Sequence, residues 1–201
     1  MAVSPASRRP SSRRPPSPRK PRADAARNRQ RLIKAARACF AKTGAATSLE
    51  EIARAADVGI GTLYRHFPTR EALVEQVYRD ALDGLAADAE RLAKAHPPLK
   101  ALREWLLLFV DYIATKKLMA DLLATLTGSA ATLHASTGPR LETAIGGLMK
   151  RAAANGDIRQ DVEPFDLLRA IAGLAYASAA TGWEARARKM VDILLAGLQR
   201  T

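Results

Sequence analysis

The stretch from Thr47 to Phe67, TSLEEIARAADVGIGTLYRHF, constrains the fold of this chain more than any other. Ser48 followed by Glu51 has the spacing of a capping box, which predicts a helix starting there. Leu49, Ile52, Ala53 and Ala56 recur at i, i+3, i+4 and i+7, placing one apolar stripe on one face. The pattern breaks at Asp57-Val58-Gly59, a turn in which Gly59 supplies a permissive backbone. A second helix must end near Phe67, because Pro68 biases the residue before it away from helical angles. That helix is about two turns long, and Leu63 and Phe67, four apart, form its inner face. Thr62, Tyr64, Arg65 and His66 therefore point elsewhere. Hydroxyls, a phenol, a guanidinium and an imidazole on so short a helix suit a DNA major groove better than a protein interior.

The block ADVGIGTLYRHFPTREAL resembles the recognition-helix signature of the TetR family of bacterial transcriptional repressors. The likeness runs from about Asn28 to Tyr78. It includes a preceding amphipathic helix, a small-residue break at Gly44 and a capped fourth helix at Thr69. The segments ADAARNRQR and REWLLLFVDYIATKK are similar to the SbtR-like branch. Where many members have a small polar residue and then Lys, this chain has Gly59 and Ile60, so the first base contact differs. The resemblance implies an all-α chain divided into a basic arm (1–21), a helix-turn-helix domain (22–80) and an effector-binding, dimerising domain (81–201). It also implies that Tyr64, often on phosphate in this family, and His66 contact DNA. Ile60 and Gly61 open the reading helix, with Ile60 either meeting a thymine methyl or packing. Arg65 is the candidate for guanine, and Thr62 for a thymine methyl or a phosphate. Thr47 and Ser48, at one helix start, and Thr69 and Arg70, at another, are candidate phosphate clamps, since helix N-termini favour anions. A purely capping role for these four is the competing reading.

The net charge of +12 is uneven, with residues 1–31 contributing +9. This Pro-, Ser- and Arg-rich arm lacks the apolar run of a signal peptide and the apolar content to fold alone. It is expected to strengthen DNA binding through phosphates or the minor groove, or to be a solubilising tail. The single cysteine, Cys39, excludes an intramolecular disulfide and reads as a buried thiol. No stretch reaches about 18 apolar residues, which argues against a membrane span. The three histidines, His66, His96 and His134, stand apart, so no metal site or cofactor is expected. Neither a phosphate-binding glycine loop nor GxSxG nor HExxH is present, which argues against an enzyme.

Nine helices are expected in total. Beyond the fourth, the punctuation predicts helices over about Leu99–Lys117, Met119–Thr127, Arg140–Ala154, Pro164–Ala180 and on to Gln199. The stops are His96-Pro97-Pro98, Gly138-Pro139, Asn155-Gly156-Asp157 and Thr181-Gly182. The middle helices are expected to enclose a pocket for a small apolar or amphipathic effector. Its candidate wall comprises Trp105, Phe109, Tyr112, Met119, Leu122 and Leu126, then Leu141, Ile145, Leu148, Met149 and Tyr176. An ordinary core is the alternative for each of them. In the last two helices, Leu168, Ile171, Ala175 and Ser178, with Met190, Val191, Leu194, Leu195 and Leu198, make surfaces apolar too far around to be covered on one side. The expected cover is the same pair from a second subunit, the alternative being the middle helices of one chain.

Three functions fit. The first is a homodimeric, cytoplasmic repressor that leaves a double-stranded operator, and with it the nucleoid, when an effector binds. The second is a constitutive nucleoid-type DNA-binding protein without effector. The third is an all-α ligand carrier or enzyme.

Overall fold

The computed structural model describes residues 19–120, 129–177 and 182–199, with the side chains of 19–22, 118 and 129–137 left aside. Within these it is all α-helical: α1 Arg19–Thr43, α2 Leu49–Ala55, α3 Ile60–His66, α4 Arg70–Ala95, α5 Pro98–Leu118, α6 Ser129–Ala154, α7 Pro164–Ala177 and α8 Trp183–Leu198. Helix α1 begins before the expected arm boundary, and α4 runs unbroken through residue 80.

Helix α4 organises the molecule. At 26 residues it extends about 39 Å. Leu73, Val74 and Val77 near its start, and Leu82, Leu85, Ala89 and Leu92 further on, are all buried. They fall at three- and four-residue steps, giving one continuous stripe. Through that stripe the buried residues of α1–α3 and those of α5–α8 join a single apolar core. On α5, Trp105, Phe109 and Tyr112 form an inward ladder against α4. The Trp105 and Phe109 rings stack with centroids 6.1 Å apart. Trp105 Nε1 donates to Leu85 O at 2.8 Å, and the Tyr112 hydroxyl donates to Tyr78 at 2.9 Å. Burial pushes the Tyr112 phenol well above the ordinary tyrosine range, with Tyr78 adding to the effect, so Tyr112 stays neutral.

The expected stop at Asn155-Gly156-Asp157 forms as read. Gly156 takes φ +84°, its N–H donates to Ala153 O and that of Asp157 to Ala152 O, which is the paired closure of a Schellman turn. The expected stop at Gly138-Pro139 does not form. Helix α6 begins at Ser129 and carries Pro139 inside it. The ring removes one N–H from the helix ladder, and one turn on the Thr143 hydroxyl donates to Pro139 O at 2.8 Å. The expected helix over 119–127 falls mostly outside the described residues, and Met119 closes α5 by donating its N–H to Thr115 O.

The loop after α6 fastens two distant helix ends. Asp157 Oδ2 accepts from Leu99 N at 3.2 Å, covering an open N–H of α5. Ile158 is buried and bridges Gln199, the Arg159 N–H donates to Leu198 O at 2.7 Å, and its guanidinium donates to Gly197 O at 2.9 Å.

Candidate nucleic-acid interface

Helix α2 starts as its sequence demands. Ser48 Oγ accepts from Glu51 N at 3.1 Å, and Glu51 Oε2 accepts from Ser48 N at 2.9 Å. Its end differs from expectation. Asp57, not Gly59, takes the left-handed conformation, with φ +50°, while Gly59 is extended at φ −65°. Asp57 N donates to Arg54 O and Val58 N to Ala53 O, a Schellman closure carried by an aspartate. Asp tolerates this region better than most side chains, and Arg31 of α1 holds it, donating to the carboxylate at 2.8 Å and to the carbonyl at 3.2 Å.

The turn delivers α3 with Leu63 and Phe67 buried against the core. Ile60 and Tyr64 are 38% and 46% exposed, and Gly61 and Arg65 are exposed beside them. Thr62 and His66 are half-buried at the edges of that face. The outward surface is thus Ile60, Gly61, Tyr64 and Arg65: one aliphatic, one phenol and one guanidinium around a glycine. Gly61 has open space where a Cβ would be, so the backbone itself is approachable there. Arg29 of α1 closes the far end of α3, its guanidinium 5.2 Å from the Phe67 ring centroid and donating to Gln76 Oε1 at 2.7 Å.

Two of the candidate phosphate clamps have other work. Thr47 is 1% exposed, and its hydroxyl donates to Cys39 O at 3.1 Å, so its side chain is a buried fastening of the α1–α2 connection. Arg70 Nη1 donates to Thr47 O at 2.5 Å and Nη2 to Ala45 O at 2.8 Å, and its guanidinium lies 5.6 Å from the Phe40 ring centroid. That arginine braces the first turn of α4 against the α1–α2 connection. Ser48 and Thr69 are N-caps, Thr69 Oγ1 accepting from Ala72 N at 3.1 Å, and Thr69 remains exposed. Sequence reasoning missed Arg29, Arg31 and Gln76 as positioning residues. The arginine-rich lead-in was a signal, but it reads equally as DNA contact. Cys39 is half-buried.

In the C-terminal half, Trp105, Phe109, Tyr112, Met119, Leu141, Ile145, Leu148 and Met149 are buried core residues. Tyr176 on α7 is 60% exposed, yet it lies within electrostatic reach of the buried Tyr78 and Tyr112. Leu122 and Leu126 lie outside the described residues. Leu168, Ile171, Ala175, Val191, Leu195 and Leu198 are buried by this chain's own helices, because the α7–α8 seam packs onto α5 and α6. They are therefore not the surface open to a second subunit. Met190 and Leu194 are half-buried, and Ser178 lies outside the described residues. The large apolar side chains left exposed on this pair are Tyr176 and Ile193, the latter 53% exposed.

Residues 32–77 match the amino-terminal domain of bacterial regulatory proteins of the tetR family. Residues 97–200, over half the chain, match the C-terminal domain of SbtR-like transcriptional regulators. The chain belongs to the TetR family of transcriptional regulators. These are DNA-binding proteins, not enzymes. A TetR transcriptional regulator from Streptomyces coelicolor is 39% identical, with 86% of this chain and 99% of that one aligned at a TM-score of 0.79. A TetR transcription regulatory protein from Mycobacterium vanbaalenii is 30% identical over 89% of this chain and 99% of its own, with a TM-score of 0.74. Among curated relatives, the probable acrEF/envCD operon repressor of Escherichia coli is 35% identical over 96 residues, 46% of this regulator and 44% of that repressor. The match thus spans less than half the length of that curated relative. No described helix of this regulator is long and apolar enough to cross a membrane. Among the described residues, no cluster of His, Cys, Asp and Glu is placed to hold a metal.

Proposed function

We propose that this TetR-family regulator is a homodimeric repressor that reads an operator with α3 and leaves it when a small molecule occupies the C-terminal half. The observation carrying the reading is the outward face of α3. Ile60, Gly61, Tyr64 and Arg65 are presented to solvent from a helix whose Leu63 and Phe67 are locked in the core. A packed helix that leaves a phenol and a guanidinium uncovered suits a groove, and Arg65 has the fork geometry that pairs with guanine O6 and N7. Repression is supported by the relative described as an operon repressor. For dimerisation the support is what α7 and α8 leave uncovered: Tyr176 and Ile193 are exposed, as are the small residues Ala170, Gly173, Ala196 and Gly197. Two copies joined there carry two α3 helices, whose separation must match half-sites about 34 Å apart.

The test is selection of binding sites from a random duplex pool by wild type and Arg65→Ala. Wild type should yield a palindrome. The variant should lose about 1–3 kcal/mol and relax preference at one base pair in each half-site. Sequence-indifferent binding by wild type, or an unchanged palindrome in the variant, would count against α3 as the reader.

A further inference from the structure

A cleft of about 510 Å³ runs between α4 and α6. The two helices lie parallel here and are tied at both ends by arginines of α6. Arg140 pairs with Asp83, and eleven residues on, Arg151 Nη1 donates to Ala93 O at 2.5 Å. These long side chains act as struts. Between them the facing positions are small: Ala86 and Ala89 on α4, Ala144 and Gly147 on α6. Helices with small contact residues ordinarily approach closely. They do so here, and the space above them is a groove open to solvent, where Gly147 is exposed and a Cβ added to it would meet nothing within 4 Å. The volume falls in the range of small-molecule sites.

The shape and charge define the occupant. The struts are about 16 Å apart along α6 at the helical rise, so a molecule filling the cleft is elongated, and the Ala, Gly and Leu148 lining makes its body apolar. Arg140 already has a carboxylate. Arg151 has none among the described residues and is satisfied by a neutral carbonyl. A carboxylate would replace that carbonyl with a charge-assisted, bidentate pair, which is the stronger bond. Glu90 also lines the cleft, one turn before Ala93, and disfavours a second negative charge. We propose that this cleft binds an elongated apolar molecule ending in a single carboxylate, which Arg151 takes. Drawing Arg151 from Ala93 O removes one strut from α4, the helix whose first turn braces the DNA-reading unit through Arg70. That consequence for DNA rests on the repressor reading, whereas the binding does not.

The probe is dodecanoate, titrated calorimetrically below its micelle concentration into the full chain without DNA. Saturable binding is expected in wild type, weakened at least tenfold in Arg151→Gln. Dodecanol should bind both proteins alike. Gly147→Phe, shown folded by its thermal transition, should bind neither. No saturable binding to wild type, or variants that bind like wild type, would overturn the site. If Gly147→Phe instead splits a dimer, the cleft belongs to a second copy and the proposal falls. Operator affinity is read on the same samples: dodecanoate that binds but leaves operator affinity unchanged supports the site and removes the release mechanism.

Discussion

Replacing Arg70 with alanine separates a brace from a phosphate contact. In the structure its guanidinium makes two bonds to main-chain carbonyls and lies against Phe40. Bonds from a charged donor contribute roughly 1.5–3 kcal/mol each when water cannot replace them. Thr47 is buried, so its carbonyl is left without a partner, and that bond counts near 2 kcal/mol. Ala45 is exposed and its carbonyl recovers a water, so that bond counts for little. The ring contact adds about 0.5 kcal/mol. Arg70→Ala should therefore lower unfolding free energy by about 2–3 kcal/mol in a urea titration. Arg70→Lys should do nearly the same, since a single ammonium does not bridge two carbonyls as the guanidinium fork does. DNA affinity should fall in both variants, because α2 and α3 lose their fixed relation to α4, while the slope of log affinity against log salt stays as in wild type. A phosphate contact makes the opposite forecast: stability unchanged and a slope smaller by about one unit. Finding that pair of results would refute the brace.

Three further outcomes follow from the same geometry. Asp57→Gly should leave stability within about 0.5 kcal/mol of wild type, because relief at φ +50° offsets an exposed ion pair with Arg31; Asp57→Val should cost about 1–3 kcal/mol in the same denaturant assay. Trp105→Phe removes the bond to Leu85 O and leaves a void in a fully buried site, so a loss of about 2–3 kcal/mol is expected by thermal or chemical unfolding. The hydrogen bond from Arg103 holds the Asp192 carboxyl below its ordinary value of 3.8, so this pair stabilises the fold above that value and the contribution fades as pH falls through the lowered one. The difference in urea midpoint between wild type and Asp192→Asn, small at neutral pH because both groups are exposed, should vanish in acid and persist under alkaline conditions.

The features legible in the sequence are those set by local chemistry. Ser48 and Glu51 are three apart and cap one another wherever a helix follows. Gly156 ends α6 because the left-handed position costs it nothing. Leu63 and Phe67, four apart, supply the inner face of so short a helix, while Ile60, apolar too, stays 38% exposed at its first turn. What stayed hidden depends on neighbours far along the chain. Which residue of Asp57-Val58-Gly59 turns left-handed is decided partly by Arg31, 26 residues away. Arg70 reads as a phosphate ligand until Ala45 and Thr47 are seen to present carbonyls to it. Pro139 looks like a helix boundary until α6 is seen to pass through it. On α7 and α8 apolar residues occur on several sides, and periodicity does not say which side this chain takes for itself. The structure gives Ile171, Ala175, Val191 and Leu195 to the core and leaves Tyr176 and Ile193 outside.

The connection from Asn155 to Glu163 inverts the usual relation between position and tolerance. A surface loop between helices is ordinarily where a lineage absorbs inserted residues and where tags or cleavage sites are engineered. This one ties the start of α5 through Asp157 and the end of α8 through Arg159, with Ile158 sealed between them. One extra residue anywhere in that run shifts one fastening out of register with the other. The loop thus works as a clasp joining the opening and closing helices of the C-terminal half, and its length is as tightly specified as the width of a helix turn.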